Sequence, residues 1–375
     1  MMRSKILLVS PLPPPVGGIG TWTKHILSYF ENNSQCELIH YNTAVIKRRI
    51  TQHSNIVRII GGVKEMKHNI PLIVEIVKMK KPDVVHLISS AYYGLFRDFV
   101  LLGRLKKLGV KTVIHFRFGR IPSLSKQNNW EWKMICLVVN RAGKVIVIDK
   151  KSFETLIEHG YKNIEYLPNP IAKDIEDMER ITDVDFSERQ KGYVLFVGQV
   201  APKKGIMELV TACADLEMVR QLTLIGPYEK KIEQQIRHIA SKRDDGRWLQ
   251  LKDVQNTEVV LESMRKCNVF VLPSYTEGFP NVILESMITG CPIVATSVGA
   301  VDDMLNTKDS KPAGICVKPQ DIDKLKAAIQ TFLTNSELAE QMGLIAKERV
   351  LKEYSTEIIC DKMIKIWQSM QVETN

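Results

Sequence analysis

At 375 residues, 45 % hydrophobic and 25 % charged, the chain has the composition of an ordinary soluble globular protein and length enough for two domains, not that of a disordered or fibrous chain. Its seven cysteines are odd in number and form no C-x-x-C pair, which fits reduced thiols in a cytosolic protein and argues against a zinc site or a disulfide framework. Charge is uneven: residues 1–175 carry 27 Lys and Arg against 12 Asp and Glu, whereas residues 176–375 carry 25 against 30, so the first half is expected to face something anionic. The basic residues are spread over many predicted helices and no DNA- or RNA-binding signature accompanies them, so nucleic acid is not the expected partner.

At the start, the apolar run 6–9 is too short for a signal-peptide core, and no later segment approaches a membrane span. Residues 5–10 read as a first strand. The loop 11–20, PLPPPVGGIG, leads into a helix over 21–30. Gly17 and Gly18 fall at the strand's carboxyl end, where glycines serve either a turn or the close approach of backbone to a ligand. Further strand-length apolar runs lie at 37–41, 84–88, 110–115 and 145–148, with helical patterns at 56–80, 92–108 and 129–141. Strands with little polar alternation, separated by helices, imply a parallel sheet covered on both faces, with ligands at the carboxyl ends of the strands. His115 stands at such an end, followed by Phe116-Arg117-Phe118-Gly119. Lys47, Arg48, Arg49, Arg58, Lys64 and Lys67 surround the apolar Ile56, Val57, Ile59, Ile60 and Val63. This arrangement suits either an anionic bilayer surface or a helix packed on the sheet with a solvated basic face.

The span 168–192, with Pro168-Asn169-Pro170 and then a poorly periodic acidic stretch, reads as a linker. A second α/β series follows. Residues 193–197 form a strand, and Gly198 to Gly205 carry Gln199 and Lys204 into a helix over 206–217. A strand, a glycine turn and a lysine at a helix start make a phosphate-binding arrangement, or a solvated Lys-Lys turn. Strands at 221–225, 248–251 and 314–317 complete the sheet, with helices at 324–333, 336–352 and 356–370. The stretch 269–296 reads strand, loop, helix, strand: the run 269–272 stops at Pro273, Pro280 takes the first helical position, and the helix ends at Gly290. Glu277 then lies just before the helix and Glu285 inside it, about 7.5 Å deeper than Pro280 at the ordinary helical rise. Free N–H groups at the helix mouth suit a diphosphate, and the two carboxylates accept hydrogen bonds from sugar hydroxyls.

The string Pro273-Ser274-x-x-Glu277-Gly278-Phe279-Pro280-Asn281-Val282-x-x-Glu285, followed by Gly290-x-Pro292-Ile293-Val294-Ala295-Thr296-x-x-Gly299, closely resembles the signature of the retaining glycosyltransferases of family 4. The resemblance implies an α/β GT-B fold, two Rossmann-like domains whose parallel sheets face across a cleft. It assigns 1–175 to the acceptor side, 176–352 to the nucleotide-sugar donor, and 353–375 to a C-terminal helix crossing back to the first domain. It further implies catalytic roles for His115 and Glu277, and donor contacts for Gly17, Gly18, Gln199, Lys204, Gly278, Phe279, Pro280, Asn281 and Glu285. Gln199 departs from the family pattern, which has arginine there, and an amide lacks arginine's charged bidentate contact. The implied reaction moves a sugar from a UDP- or GDP-linked donor to a sugar or lipid-linked glycan acceptor, in polysaccharide or glycolipid assembly. It needs no cofactor and no metal. The implied location is cytoplasmic, including the inner face of the cell membrane. The alternatives are an epimerase-type GT-B enzyme and a non-catalytic nucleotide-sugar-binding protein.

Overall fold

The computed structural model describes residues 3–13, 18–31, 33–44 and 55–372, the last segment with side chains from 66 to 371. Gly17, Lys47, Arg48, Arg49 and the side chains of Arg58 and Lys64, with the apolar residues between them, lie outside the described residues. The chain divides into two compact units, Met1–Lys173 with Thr356–Asn375, and Asp174–Ser355.

The first unit holds strands β1 (Ser4–Ser10), β2 (Cys36–Asn42), β3 (Val84–Ser89), β4 (Lys111–Phe116), β5 (Lys144–Val147) and β6 (Ile164–Tyr166). Its helices are α1 (Gly18–Glu31), α2 (Asn55–Lys80), α3 (Gly94–Lys107), α4 (Ile121–Gln127), α5 (Trp130–Arg141) and α6 (Lys150–Glu158), with the C-terminal helix Thr356–Val372. The sheet order is β2-β1-β3-β4-β5-β6, and every pairing is parallel. Side chains alternate faces along a strand. Leu7, Val85, Leu87, Ile114 and Phe116 therefore share a core with α2, α3 and α5, whereas Ile6, Leu8, Val84, Ile88 and Val113 meet α1 and the C-terminal helix on the other face. The same alternation sends His86 and His115 to that second face. Asn129, read from sequence as the first residue of a helix, is instead its cap, accepting a hydrogen bond from the Trp132 N–H. Asparagine is favoured there because its side chain satisfies a donor that the helix leaves open.

The second unit contains α7 (Lys173–Arg180), β7 (Gln190–Val197), α8 (Ile206–Ala214), β8 (Gln221–Ile225), α9 (Lys230–Ala240) and β9 (Leu249–Lys252). It continues with α10 (Thr257–Lys266), β10 (Cys267–Leu272), α11 (Asn281–Ile288), β11 (Ile293–Thr296), α12 (Val301–Leu305), β12 (Ile315–Val317), α13 (Ile322–Thr334) and α14 (Ser336–Glu353). The C-terminal helix is α15. The sheet runs β12-β11-β10-β7-β8-β9, again parallel throughout. The first strand of the unit, β7, lies between β8 and β10, so the winding reverses direction between β7 and β10. In sheets of this kind, ligands sit beyond the carboxyl ends of the strands at that reversal.

The span read as a linker is partly regular: α7 occupies its middle and β7 starts at Gln190. The buried side of α7 carries Ile175 together with Glu176 and Glu179, and these acids pair with Arg180 and Arg265. Ile175 is the one buried apolar residue of α7, so this short helix offers no apolar stripe of helical spacing to read.

Candidate functional site

The loops after β7 and β10 meet at the reversal point of the second sheet, and glycine geometry brings them together. Gly205 adopts φ +69°, and a Cβ there would lie 2.0 Å from the Pro273 carbonyl oxygen, so no other residue allows the lysine turn to approach the end of β10 this closely. The Tyr275 N–H donates to the Lys203 carbonyl at 3.0 Å, fixing one loop to the other. Lys204 Nζ then lies 2.6 Å from Glu277 Oε1. The opposite flank of Glu277 is set by Gly299, at φ +56°, whose Cβ would stand 2.4 Å from the Glu277 carbonyl oxygen. The Lys204 and Glu277 side chains are 24 % and 13 % exposed, so the pair is shielded yet reachable. A lysine ammonium has three donors, and Glu277 takes one of them.

Pro280 is the cap of α11, not its first helical residue as the sequence reading has it. Its φ of −74° suits a helix, but ψ of 113° is extended, and its carbonyl accepts from the Ile283 N–H at 3.1 Å. Proline brings no side-chain acceptor, so no cap side chain occupies the first N–H groups of α11. Those donors and the helix dipole face the same loop as Lys204 and Glu277. Phe279 is buried with its ring edge-on to Tyr354, centroids 5.7 Å apart, while the Gly278 carbonyl accepts from the Ala300 N–H. Asn281 is the half-buried first residue of α11.

Glu285 lies just over a turn into α11. Burial pushes its carboxyl up to about 7, and the charge of Asp174 adds to the rise. Gln199 is exposed just past the end of β7, and its side chain makes no hydrogen bond among the described residues. Tyr275 donates its hydroxyl to Glu208 Oε1, a partnership that sequence patterns do not announce.

In the first unit, Gly18 opens α1, and a Cβ there would meet nothing within 4 Å, so packing does not require the glycine. His115, 1 % exposed, lies one residue inside the end of β4. Its Nδ1 is 3.3 Å from His86 Nε2 and its Nε2 is 3.4 Å from Arg117 Nη1. His86 in turn accepts at Nδ1 from the Trp367 indole N–H at 3.1 Å. Arg117 also stacks over Trp22 at 4.3 Å, and the Trp22 ring meets His115 edge-on. Burial, with Arg117 adding to it, pushes His86 down to about 3 and His115 well below the ordinary range, and burial lowers Arg117 to about 9. Sequence reasoning missed His86 and Arg117. The one available signal is a polar residue in the otherwise apolar strand VVHLIS.

Among the described residues, no group of three or more His, Cys, Asp or Glu side chains is arranged to hold a metal ion, and no helix is long and apolar enough to cross a membrane.

Residues 177–349 match the family model described as Glycosyl transferases group 1. An uncharacterized glycosyltransferase of Methanocaldococcus jannaschii is 24 % identical over 99 % of both chains. The capsular polysaccharide biosynthesis glycosyltransferase CapM of Staphylococcus aureus is 26 % identical over 48 % of this chain and 46 % of its own. Among solved structures, Anabaena HepE in complex with UDP superposes with a TM-score of 0.69 at 13 % identity, over 98 % of this chain and all of HepE. HepE has also been solved with UDP-glucose, at a TM-score of 0.68 and 14 % identity over the same shares. The two parallel six-stranded sheets with their helices have the GT-B fold, and the match to the glycosyl transferases group 1 model falls on the second unit, over residues 177–349.

Proposed function

We propose that this chain is a retaining glycosyltransferase that moves a sugar from a UDP- or GDP-linked donor to a sugar or lipid-linked glycan acceptor in polysaccharide or glycolipid assembly. The observation that carries this reading is the Lys204–Glu277 pair at the reversal point of the second sheet, beside the uncapped start of α11. The leaving diphosphate develops charge as the glycosidic bond to it breaks. Lys204 and the first N–H groups of α11 neutralise that charge without a metal ion. Lys204 has donors beyond the one held by Glu277, so it serves phosphate and carboxylate together. Glu277 and Glu285 accept hydrogen bonds from donor hydroxyls. His115 contacts a sugar oxygen, and Gly18, the first residue of α1, lets the backbone approach the substrate closely. No side chain is assigned as a covalent nucleophile, in keeping with front-face attack in which the departing phosphate takes the acceptor's proton.

The UDP and UDP-glucose complexes of HepE support a nucleotide-sugar donor, and CapM's place in capsule synthesis supports a glycan product. A peripheral contact with anionic lipid is supported by the basic first half and by the exposed rings of Tyr93, Phe96 and Trp130. The test is incubation with a panel of nucleotide sugars and candidate acceptors, following nucleoside diphosphate release and the anomeric configuration of the product by NMR. Release with retained configuration is expected; inversion would overturn the retaining assignment, and no release from any donor would overturn the transferase reading.

A further inference from the structure

A chain of ring contacts runs from α15 to the carboxyl end of β4. Its hydrogens can be counted. An indole nitrogen and a guanidinium only donate, whereas a neutral imidazole has one donor and one acceptor nitrogen. Trp367, His86, His115 and Arg117 thus bring four hydrogens to three contacts, at 3.1, 3.3 and 3.4 Å in that order. One contact must hold two opposed donors. Trp367 is fully buried and its N–H faces His86 Nδ1 at the shortest of these distances, so Nδ1 must be the acceptor. His86 then carries its proton on Nε2, facing His115 Nδ1. The opposed pair therefore falls at one of the two longer contacts, 3.3 or 3.4 Å, and at the longest it puts the His115 proton on Nε2, facing Arg117. The surplus donor sits at the end where His115 and Arg117 together call for an oxygen acceptor. Arg117 Nε, buried with no hydrogen-bond partner, adds to the same demand.

We propose that Trp367 and His86 are positioning residues that hold His115 in its Nε2–H form, so that His115 meets substrate as a hydrogen-bond donor and not as a base. This rests on the assignment of His115 to a sugar oxygen. Protonating His115 would add a fifth hydrogen to the chain, and burial with the neighbouring Arg117 charge opposes it. The proton count therefore assigns the imidazole no part in deprotonating the acceptor.

The test uses full-length protein labelled with nitrogen-15 at histidine, in which long-range proton–nitrogen correlations distinguish the two tautomers. His86 and His115 are both expected as Nε2–H. A His115 proton on Nδ1, or a cationic ring at neutral pH, would overturn the proposal without any activity measurement. Trp367→Phe keeps an aromatic ring at this buried position, though a smaller one, and removes the indole N–H. With that donor gone, the pair is free to invert, and His115 should show a measurable Nδ1–H population. In the same variant, kcat/KM for the nucleotide sugar that the parent protein turns over should fall about two- to tenfold, the range of a lost neutral hydrogen bond. Lower activity with an unchanged tautomer would reduce Trp367 to a packing role, and an inverted tautomer with unchanged activity would remove its positioning role. If the parent turns over no donor, the transferase reading fails while the tautomer measurement still stands.

Discussion

Glu285 titrates within the range where most enzymes work, and the sign of its effect can be stated. Its folded-state value of about 7 lies above the ordinary 4.5, so the ionised form is disfavoured in the native protein. It is the stronger acceptor for a donor hydroxyl when ionised, so kcat/KM should rise with pH through about 7. Glu285→Gln should flatten that limb and lower kcat/KM by about tenfold to a hundredfold, as for a lost charged hydrogen bond. For stability the direction reverses. The penalty of the buried charge is present above about 7 and relieved as pH falls towards 4.5, so the advantage of Glu285→Gln in urea unfolding should shrink with falling pH. A pH–rate profile of the variant parallel to that of the parent would remove Glu285 from the titrating site. Gln199 tests the phosphate side of the same reading. Exposed at the end of β7, it has room for arginine, and Gln199→Arg should tighten nucleoside diphosphate binding measured by calorimetry. Unchanged or weaker binding would mean that a cation at this position does not reach the phosphates.

Among the elements, the lysine turn before α8 is the most constrained. Gly205→Ala would place a Cβ 2.0 Å from the Pro273 carbonyl oxygen at a φ of +69°, so strain and clash act together. A loss of about 2–5 kcal/mol is expected in urea unfolding, with loss of donor binding because Lys204 would move. A stable variant with normal binding would refute the claim that this glycine sets the lysine. The strand, loop and helix of 267–288 were largely legible in sequence, because an apolar run, a proline and a glycine punctuate them. The role of Pro280 was not, since φ alone does not separate a cap from a first helical residue; only the extended ψ does. The short elements α4, α6 and β6 were not legible either, being too brief for periodicity to show. At the site, Lys204 and Glu277 each carried a signal, but their contact is made by two glycine-dependent loops 73 residues apart. The partners of His115 lay further from view: Trp367 meets His86 across 281 residues of chain, and its place at helical spacing marks it only as a core residue.

For the whole molecule, the basic charge of the first half predicts a salt-dependent association with anionic vesicles. The protein should sediment with them at low ionic strength and be released as salt rises, because each basic residue near the surface contributes about 1 kcal/mol and salt screens it. Replacing Lys47, Arg48 and Arg49 by glutamine should weaken the association, and no sedimentation at low salt would remove the lipid surface from the list of partners. The first unit is assembled from two separated pieces of sequence, with Ile359, Met363, Trp367 and Met370 of α15 closing the face that carries Trp22, Ile26 and Phe30. During translation that face waits on the ribosome until all of the second unit has been made, a delay of roughly ten to forty seconds at ordinary synthesis rates. Trp22 and Phe30 are then open to chaperones while the second unit, continuous in sequence, is free to fold first. The indole that sets the His86–His115 pair is made only after the second unit, so no earlier nascent intermediate holds His115 in its donor form.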